Sequence, residues 1–277
     1  MSAKTIVITR PSGQARQLSE MLQSNLLAMG INQQNFPAII SLPLLTIVPK
    51  TDQSLVGQIE VALKDADLAI FVSPNAIECV MRLLERAWGD ISNQSIPIGV
   101  VGGSSMAALR RHGVGDESNP TQIILPQNNA NWDSEGLWTE LKKLDWDWST
   151  KKVIIFKGEG GREWLADTLK NAGANIAAIS VYARVPLDLD SPIWGDIRKI
   201  DFSQSLWLLT SSEAVRYLGQ VITDQTELPK KTLALATAIC SHHNIADAAE
   251  QIGFGKVLIC EPGDDALIAA SQAWLSS

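Results

Sequence analysis

The chain has 277 residues, 45% of them hydrophobic and 19% charged, with a formal net charge of −7. That length suits about two domains, and the composition is apolar enough for packed cores and too sparsely charged for disorder. The acidic balance argues against a nucleic-acid surface, but it does not forbid an anionic small molecule held by a local cluster of arginines and backbone N–H groups.

The start, Met1–Pro11, runs into a strand-like segment without the basic stretch and long apolar run of an export signal. No window reaches the length of a transmembrane helix. Both features predict a cytoplasmic protein with no membrane partner. Strands are expected at Thr5–Thr9, Leu68–Val72, Ile98–Val101, Val153–Phe156, Leu206–Thr210, Leu233–Ala236 and Val257–Cys260. All are nearly continuous apolar runs, the pattern of parallel strands covered on both faces. Amphipathic stretches follow most of them, and Gly30, Gly113, Gly173 and Gly253 stand where a helix C′ residue belongs. The alternation predicts doubly wound α/β architecture. Cys79, Cys240 and Cys260 are widely spaced and odd in number. They suit neither a disulfide framework nor a metal site and read as buried small hydrophobes in a reducing compartment.

The units repeat. Thr5–Gly30 resembles Val153–Gly173, each a strand, a Gly-containing turn and a helix. Leu68–Leu84 resembles Leu206–Leu218, with a Ser-bearing turn in both. Gly102–Gly113 and His242–Gly253 match in length, and Gln122–Leu141 matches Lys256–Trp274 as a strand, polar loop and closing helix. One set begins at Thr5 and resumes only after Asp201; the other lies between, in the order two, three, four, one. The chain is therefore expected to form two similar α/β lobes, one inserted into the other as a permuted copy. The expected division is 1–38 with 185–277, and 39–184. Crossings fall near Pro37–Pro49 and Val181–Pro192, whose prolines and extended-favouring residues suit linkers.

Ligands of open parallel sheets gather at the carboxyl ends of the strands. Here those ends carry Thr9-Arg10-Pro11, Ser73-Pro74-Asn75, Gly102-Gly103-Ser104-Ser105, Lys157-Gly158-Glu159-Gly160-Gly161-Arg162, Thr210-Ser211-Ser212 and His242-His243-Asn244. Helix entrances of this kind offer free N–H donors and a dipole that favours anions. Ser73, Ser104 and Ser211 also read as simple N-caps, but several such turns in two lobes favour a ligand held between two facing sets of them. Lys157–Glu163 lacks the Gly-Lys-Ser/Thr ending of a P-loop, and no full G-x-G-x-x-G is present, so nucleotide binding is unsupported. Arg162 reads equally as a carboxylate clamp or a solvated helix start. His242 and His243, being adjacent, are expected to point apart and to make no metal pair. His112 belongs to a charge cluster at a helix C-terminus. The tryptophans lack basic interleaving and read as packing, and Asp133-Ser134-Glu135, Asp264 and Asp265 as helix capping. No Ser-His-Asp set or G-x-S-x-G elbow appears.

Taken together, the turns resemble those of the uroporphyrinogen-III synthase family. The resemblance is carried by Ile8–Pro11, Phe71–Ala76, Val101–Leu109, Asp133–Leu137, Lys157–Leu165, Val181–Arg184, Thr210–Val215 and His242–Ala246. It implies two parallel-sheet α/β/α lobes joined by a two-stranded ladder. It also implies cyclisation of hydroxymethylbilane, a linear tetrapyrrole, to uroporphyrinogen III, with inversion of ring D, loss of water and no metal or organic cofactor. By resemblance Tyr182 assists departure of the hydroxyl; its bland alternative is an anchor of the crossing. The substrate's carboxylates are expected at Thr9, Arg10, Ser211, Ser212 and His242 in one lobe. In the other they are expected at Ser73, Asn75, Gly102, Ser104, Ser105, Lys157, Gly158, Gly161, Arg162 and Arg184. Two departures stand out: Lys157 replaces a frequent arginine, giving one ammonium for a bidentate fork, and His242–Ala246 replaces a Gly-rich third turn. The implied partner is hydroxymethylbilane, handed over from its synthase to a monomer, with no nucleic acid. The competing readings are a non-catalytic bilobal sensor for an anionic molecule and a nucleotide-sugar or dinucleotide enzyme.

Overall fold

The computed structural model describes residues 4–30, 36–91, 96–117, 120–128, 132–224 and 230–276. Residues 1–3 of the start, and part of the polar loop expected before Asp133, lie outside the described residues. In chain order the strands are β1 (Thr5–Ile8), β2 (Ala38–Ser41), β3 (Leu45–Pro49), β4 (Leu68–Phe71), β5 (Ile98–Val100) and β6 (Ile123–Ile124). They continue with β7 (Lys152–Gly158), β8 (Asn175–Pro186), β9 (Ser205–Leu209), β10 (Thr237–Cys240) and β11 (Lys256–Ile259). The α-helices are α1 (Ser12–Ala28), α2 (Gln53–Lys64), α3 (Pro74–Leu84), α4 (Gly103–Arg111) and α5 (Ser134–Leu141). After them come α6 (Trp164–Asn171), α7 (Ile193–Ile197), α8 (Ser212–Asp224), α9 (His243–Ile252) and α10 (Asp264–Ser276).

The chain divides into two compact units, Met1–Thr46 with Val185–Ser277, and Ile47–Arg184. The first crossing thus lies beyond residue 38. The reason is that Ala38–Ser41, expected to be linker, pairs in parallel with Thr5–Ile8 as a strand of the first unit. The first unit's sheet has the order β11-β10-β9-β1-β2, with parallel pairings throughout. Successive residues of its central strands enter opposite cores, as continuous apolar runs in a doubly covered sheet must. Ile6, Ile8, Leu206, Leu208 and Ile239 pack with α1 and α10. Val7, Trp207, Leu209, Ala238 and Cys240 pack with α8 and α9.

The second unit's sheet has the order β3-β8-β7-β4-β5-β6. Phe71, Val100 and Phe156 face the core shared with α2, α3 and α4, while Leu68, Ile70, Val153 and Ile155 face α5 and α6. Read backwards, β6-β5-β4-β7-β8 matches β11-β10-β9-β1-β2 strand for strand, and the first four matched pairs each lead into matched helices, while β2 and β8 carry the two crossings. The two units therefore share one strand order, entered at different points along the chain, and β3 is the second unit's extra strand. The hydrogen bonds Lys50 N–H to Val181 C=O (3.0 Å) and Leu187 N–H to Leu44 C=O (2.9 Å) join the two crossing segments in opposite chain order, an antiparallel ladder.

Gly30, Gly113, Gly173 and Gly253 adopt φ of +75°, +67°, +105° and +100°, ending their helices in the left-handed turn that favours glycine. The expected strand Leu233–Ala236 is corrected. Lys230–Leu235 forms 3₁₀ turns and the strand begins at Thr237. Only from Thr237 do both neighbours lie in register, and Leu233 serves instead as a buried anchor whose C=O accepts the Gly255 N–H at 3.0 Å.

Candidate active site

In the second unit, five of the expected residues come together at the carboxyl ends of β4, β7 and β8. Ser73 follows β4 and is the N-cap of α3, its Oγ accepting the Ala76 N–H at 3.2 Å. Tyr182 reaches it by a β-bulge. The β7–β8 register slips after Lys157, so that Lys157 pairs with Ser180 but Gly158 pairs with Tyr182. One extra residue re-aims the side chains beyond it, and Val181 and Tyr182 are consequently both buried, at 0% and 2% exposure. The Tyr182 Oη lies 3.0 Å from Ser73 Oγ. Arg184 Nη1 donates to the same phenol oxygen at 3.2 Å, and Nη2 donates to the Glu159 carbonyl at 3.2 Å. Gly158 has no Cβ where the Tyr182 ring and Arg184 lie, and Gly161, at φ +84°, lies against Arg184 Nη2 in the same way.

The remaining cations are engaged by acids. Lys157 is paired with Glu163 and Arg162 with Glu135; Arg162 also lies over the Trp164 ring at 5.3 Å. Lys50, which sequence reasoning missed, is 2.7 Å from the Glu159 carboxylate. The expected cation-lined surface is therefore, at Lys157 and Arg162, a set of ion pairs that an anionic ligand has to compete with. Lys50 carried no motif, and only the β3–β8 pairing reveals it.

The α4 entrance differs from expectation. Gly102 is the N-cap and makes no side-chain cap bond, so Ser104 is not a cap; it is exposed in the first turn. Trp132 packs on this turn, and a Cβ on Gly103 would stand 2.3 Å from its ring. The two glycines therefore serve that packing. Ser105, 1% exposed, has a buried hydroxyl with no hydrogen-bond partner among the described residues. Asn75 lies in the first turn of α3.

In the first unit, Thr9 is 4% exposed and its hydroxyl donates to the Leu208 carbonyl at 2.8 Å. Arg10 donates to Asp264 Oδ1 at 2.5 Å and to Thr210 Oγ1 at 3.3 Å. Asp264, read as a cap, is thus the counter-ion of Arg10. Ser211 accepts the Ala214 N–H at 3.3 Å, and Ser212 opens α8. His242 caps α9 through Nδ1, which accepts the Asn244 N–H at 3.2 Å. The histidine rings do not point apart: their centroids are 3.9 Å from each other. The extended His242 backbone at the cap turns its ring over His243 in the helix's first turn.

Chemically, the second unit's cluster is a buried phenol held between a donor-only guanidinium and a half-buried hydroxyl. Among the described residues no group of three or more His, Cys, Asp or Glu could hold a metal ion, and no helix is long and apolar enough to cross a membrane.

Comparison with known proteins gives concordant matches. Residues 33–269 match the family described as uroporphyrinogen-III synthase HemD. The chain is 24% identical to the uroporphyrinogen-III synthase of Escherichia coli K12 over 275 residues, covering 97% of this chain and all of the relative. Among solved structures it is similar to a mutant uroporphyrinogen III synthase of the extremely thermophilic bacterium Thermus thermophilus, with a TM-score of 0.59 at 14% identity, covering 99% and 100% of the two chains. It is also similar to uroporphyrinogen-III synthetase of Helicobacter pylori, with a TM-score of 0.55 at 15% identity over 98% and 99%.

Proposed function

The chain belongs to the uroporphyrinogen-III synthase family, and we propose that it catalyses the closure of hydroxymethylbilane to uroporphyrinogen III, as a lyase that eliminates water. The observation that carries the reading is the Tyr182–Ser73 pair at the strand ends of the second unit. The reaction needs a proton on the departing hydroxymethyl oxygen, and a phenol O–H is a donor that can supply one. General acid help of this kind contributes about 10²- to 10⁴-fold. The departing group is activated by its pyrrole, so modest acid catalysis suffices, and holding the chain for the correct ring closure supplies the rest.

The substrate's acetate and propionate groups suit the turns that open α3, α4, α8 and α9, where backbone N–H groups and hydroxyls favour anions. Arg10, Lys157 and Arg162 then exchange their internal carboxylates for those of the substrate. In this reading the enzyme is a cytoplasmic monomer that needs no metal or organic cofactor and receives its substrate from the synthase that makes it.

The test adds purified protein to freshly made hydroxymethylbilane and separates the product isomers. Accumulation of the type III isomer is expected. If only the type I isomer of spontaneous closure forms, the reading is wrong.

A further inference from the structure

The phenol of Tyr182 is the natural candidate for the acid, yet Tyr182 is 2% exposed and so presents almost no surface to a ligand. The hydrogen bonds around it decide where its proton goes. Arg184 has donors and no acceptor, so the Nη1–Oη contact at 3.2 Å has the phenol oxygen accepting. Two arrangements remain for the 3.0 Å contact with Ser73. If Ser73 donates, the phenol hydrogen has to find another acceptor inside the unit or carry the cost of a buried unsatisfied donor. If Tyr182 donates, the phenol has a partner for both its hydrogen and its oxygen. Ser73 Oγ then accepts twice, from Tyr182 and from the Ala76 N–H at 3.2 Å, which uses both of its lone pairs. Its own hydrogen is then left pointing away from both, and Ser73 as a residue is only partly buried.

We propose that Ser73, rather than Tyr182, delivers the proton to the departing hydroxyl, with Tyr182 refilling Ser73 and Arg184 fixing the direction in which the chain of hydrogen bonds runs. The inference rests on the functional reading above. In the step, the Ser73 O–H proton passes to the hydroxymethyl oxygen. The carbon–oxygen bond breaks with its electron pair, and water leaves as the pyrrole nitrogen's electrons close on the exocyclic carbon. Tyr182 gives its proton to Ser73, and its oxyanion is held by the Arg184 guanidinium. Ring D is then inverted, and when the last carbon–carbon bond forms the ring carbon at that bond loses its proton, which returns to Tyr182, so the enzyme is restored and one water is the net loss. Ser73 touches substrate and is the catalytic residue; Tyr182 and Arg184 act through it as positioning residues.

Ser73→Asn keeps a capping oxygen but has no acidic hydroxyl. It is expected to lower kcat about 100-fold or more, as much as Tyr182→Phe does, with KM changed less than about twofold. Ser73→Thr restores most of the rate. The double variant is no slower than the worse single one, because the two groups act in series. Arg184→Gln lowers kcat about 10-fold at constant KM, and Arg184→Lys, also a pure donor, recovers part of it. A substrate-free reading uses the fact that the chain has two tyrosines. With tyrosine labelled at ¹³Cζ, the resonance that vanishes in Tyr182→Phe is expected to move in both Ser73→Asn and Arg184→Gln.

Three outcomes overturn the relay while leaving the functional reading intact. Ser73→Asn at the wild-type rate beside a slow Tyr182→Phe makes Tyr182 the direct donor. A raised KM with unchanged kcat in Arg184→Gln makes Arg184 a substrate ligand. A Tyr182 resonance that moves in neither variant removes the hydrogen-bond chain itself. If the wild type yields only type I isomer, the functional reading fails and the relay falls with it.

Discussion

Gly158 lies so close to Tyr182 that a Cβ on it would stand 2.6 Å from ring atom Cε2 and 2.9 Å from Arg184 Nη1. The position is not one of backbone strain; it is a matter of room. Gly158→Ala therefore has to displace the phenol or the guanidinium, an overpacking change that typically costs about 1–3 kcal/mol. Denaturant unfolding should show that loss, and turnover should fall with little change in KM. A variant of unchanged stability and raised KM would instead make Gly158 a substrate contact.

Gly103 stands in a similar relation to Trp132, with 2.3 Å between a hypothetical Cβ and the ring atom Cη2. Alanine is favoured over glycine in a helix by about 1 kcal/mol, which partly offsets the clash at the first position of α4. Gly103→Ala is thus expected to fold with little loss of stability while pushing Trp132 outward. Tryptophan emission should move to longer wavelength, and a Trp132→Phe background should abolish the change.

Glu78 links α3 to α4. Burial raises its pKa, but hydrogen bonds from Arg111 (2.8 Å) and His112 (2.9 Å) outweigh that and hold it below its ordinary 4.5. The folded pKa is depressed, so its stabilisation is present above the ordinary value and lost as the pH falls through the folded one. Glu78→Gln should lower stability at neutral pH, by less than about 1 kcal/mol because the group is more than a third exposed and solvent-screened. Unfolding midpoints of wild type and variant should converge as the pH is lowered well below the ordinary 4.5.

Burial, reinforced by Cys260 and Glu250, pushes the Cys240 thiol up to about 12. A thiol raised in the folded state stays neutral while the unfolded chain ionises. Its stabilisation is therefore full below the ordinary 9.0 and lost as the pH climbs toward about 12. Cys240→Ala should flatten the alkaline limb of a stability-against-pH curve. Thiol reagents should label Cys260, which is partly exposed, before the buried Cys79 and Cys240. Oxidation should yield no Cys240–Cys260 disulfide, because Cys240 enters one core of the sheet and Cys260 packs against the other.

The permuted pair of lobes was legible because buried parallel strands write themselves as apolar runs and because the helices end on glycines that the backbone requires. Leu233–Ala236 failed for the same reason: an apolar run looks alike whether its residues pair in a sheet or anchor a turn. Ala38–Ser41 reads as linker because half-exposed edge strands lack a continuous run. At the site, Ser73 and Tyr182 were found by motif, but their meeting depends on a bulge after Lys157 that no local pattern signals. The ion pairs Arg10–Asp264, Arg162–Glu135 and Lys157–Glu163 join charges that composition counts but cannot match. Asp264 was legible only as a helix start.

The insertion has a consequence for how the protein is made. Ile47–Arg184 leaves the ribosome as an uninterrupted stretch, and its sheet can close before Ser205–Leu209 has been synthesised. β1 has the opposite fate. It lies between β2 and β9 in its sheet, and one flank of Ile6, Val7 and Ile8 stays unpaired until the whole second unit has been translated and Ser205–Leu209 follows. The nascent amino-terminal segment therefore carries an open, apolar strand edge through most of synthesis, the kind of surface that invites mispairing. It is where a chaperone that holds elongating chains would have reason to bind.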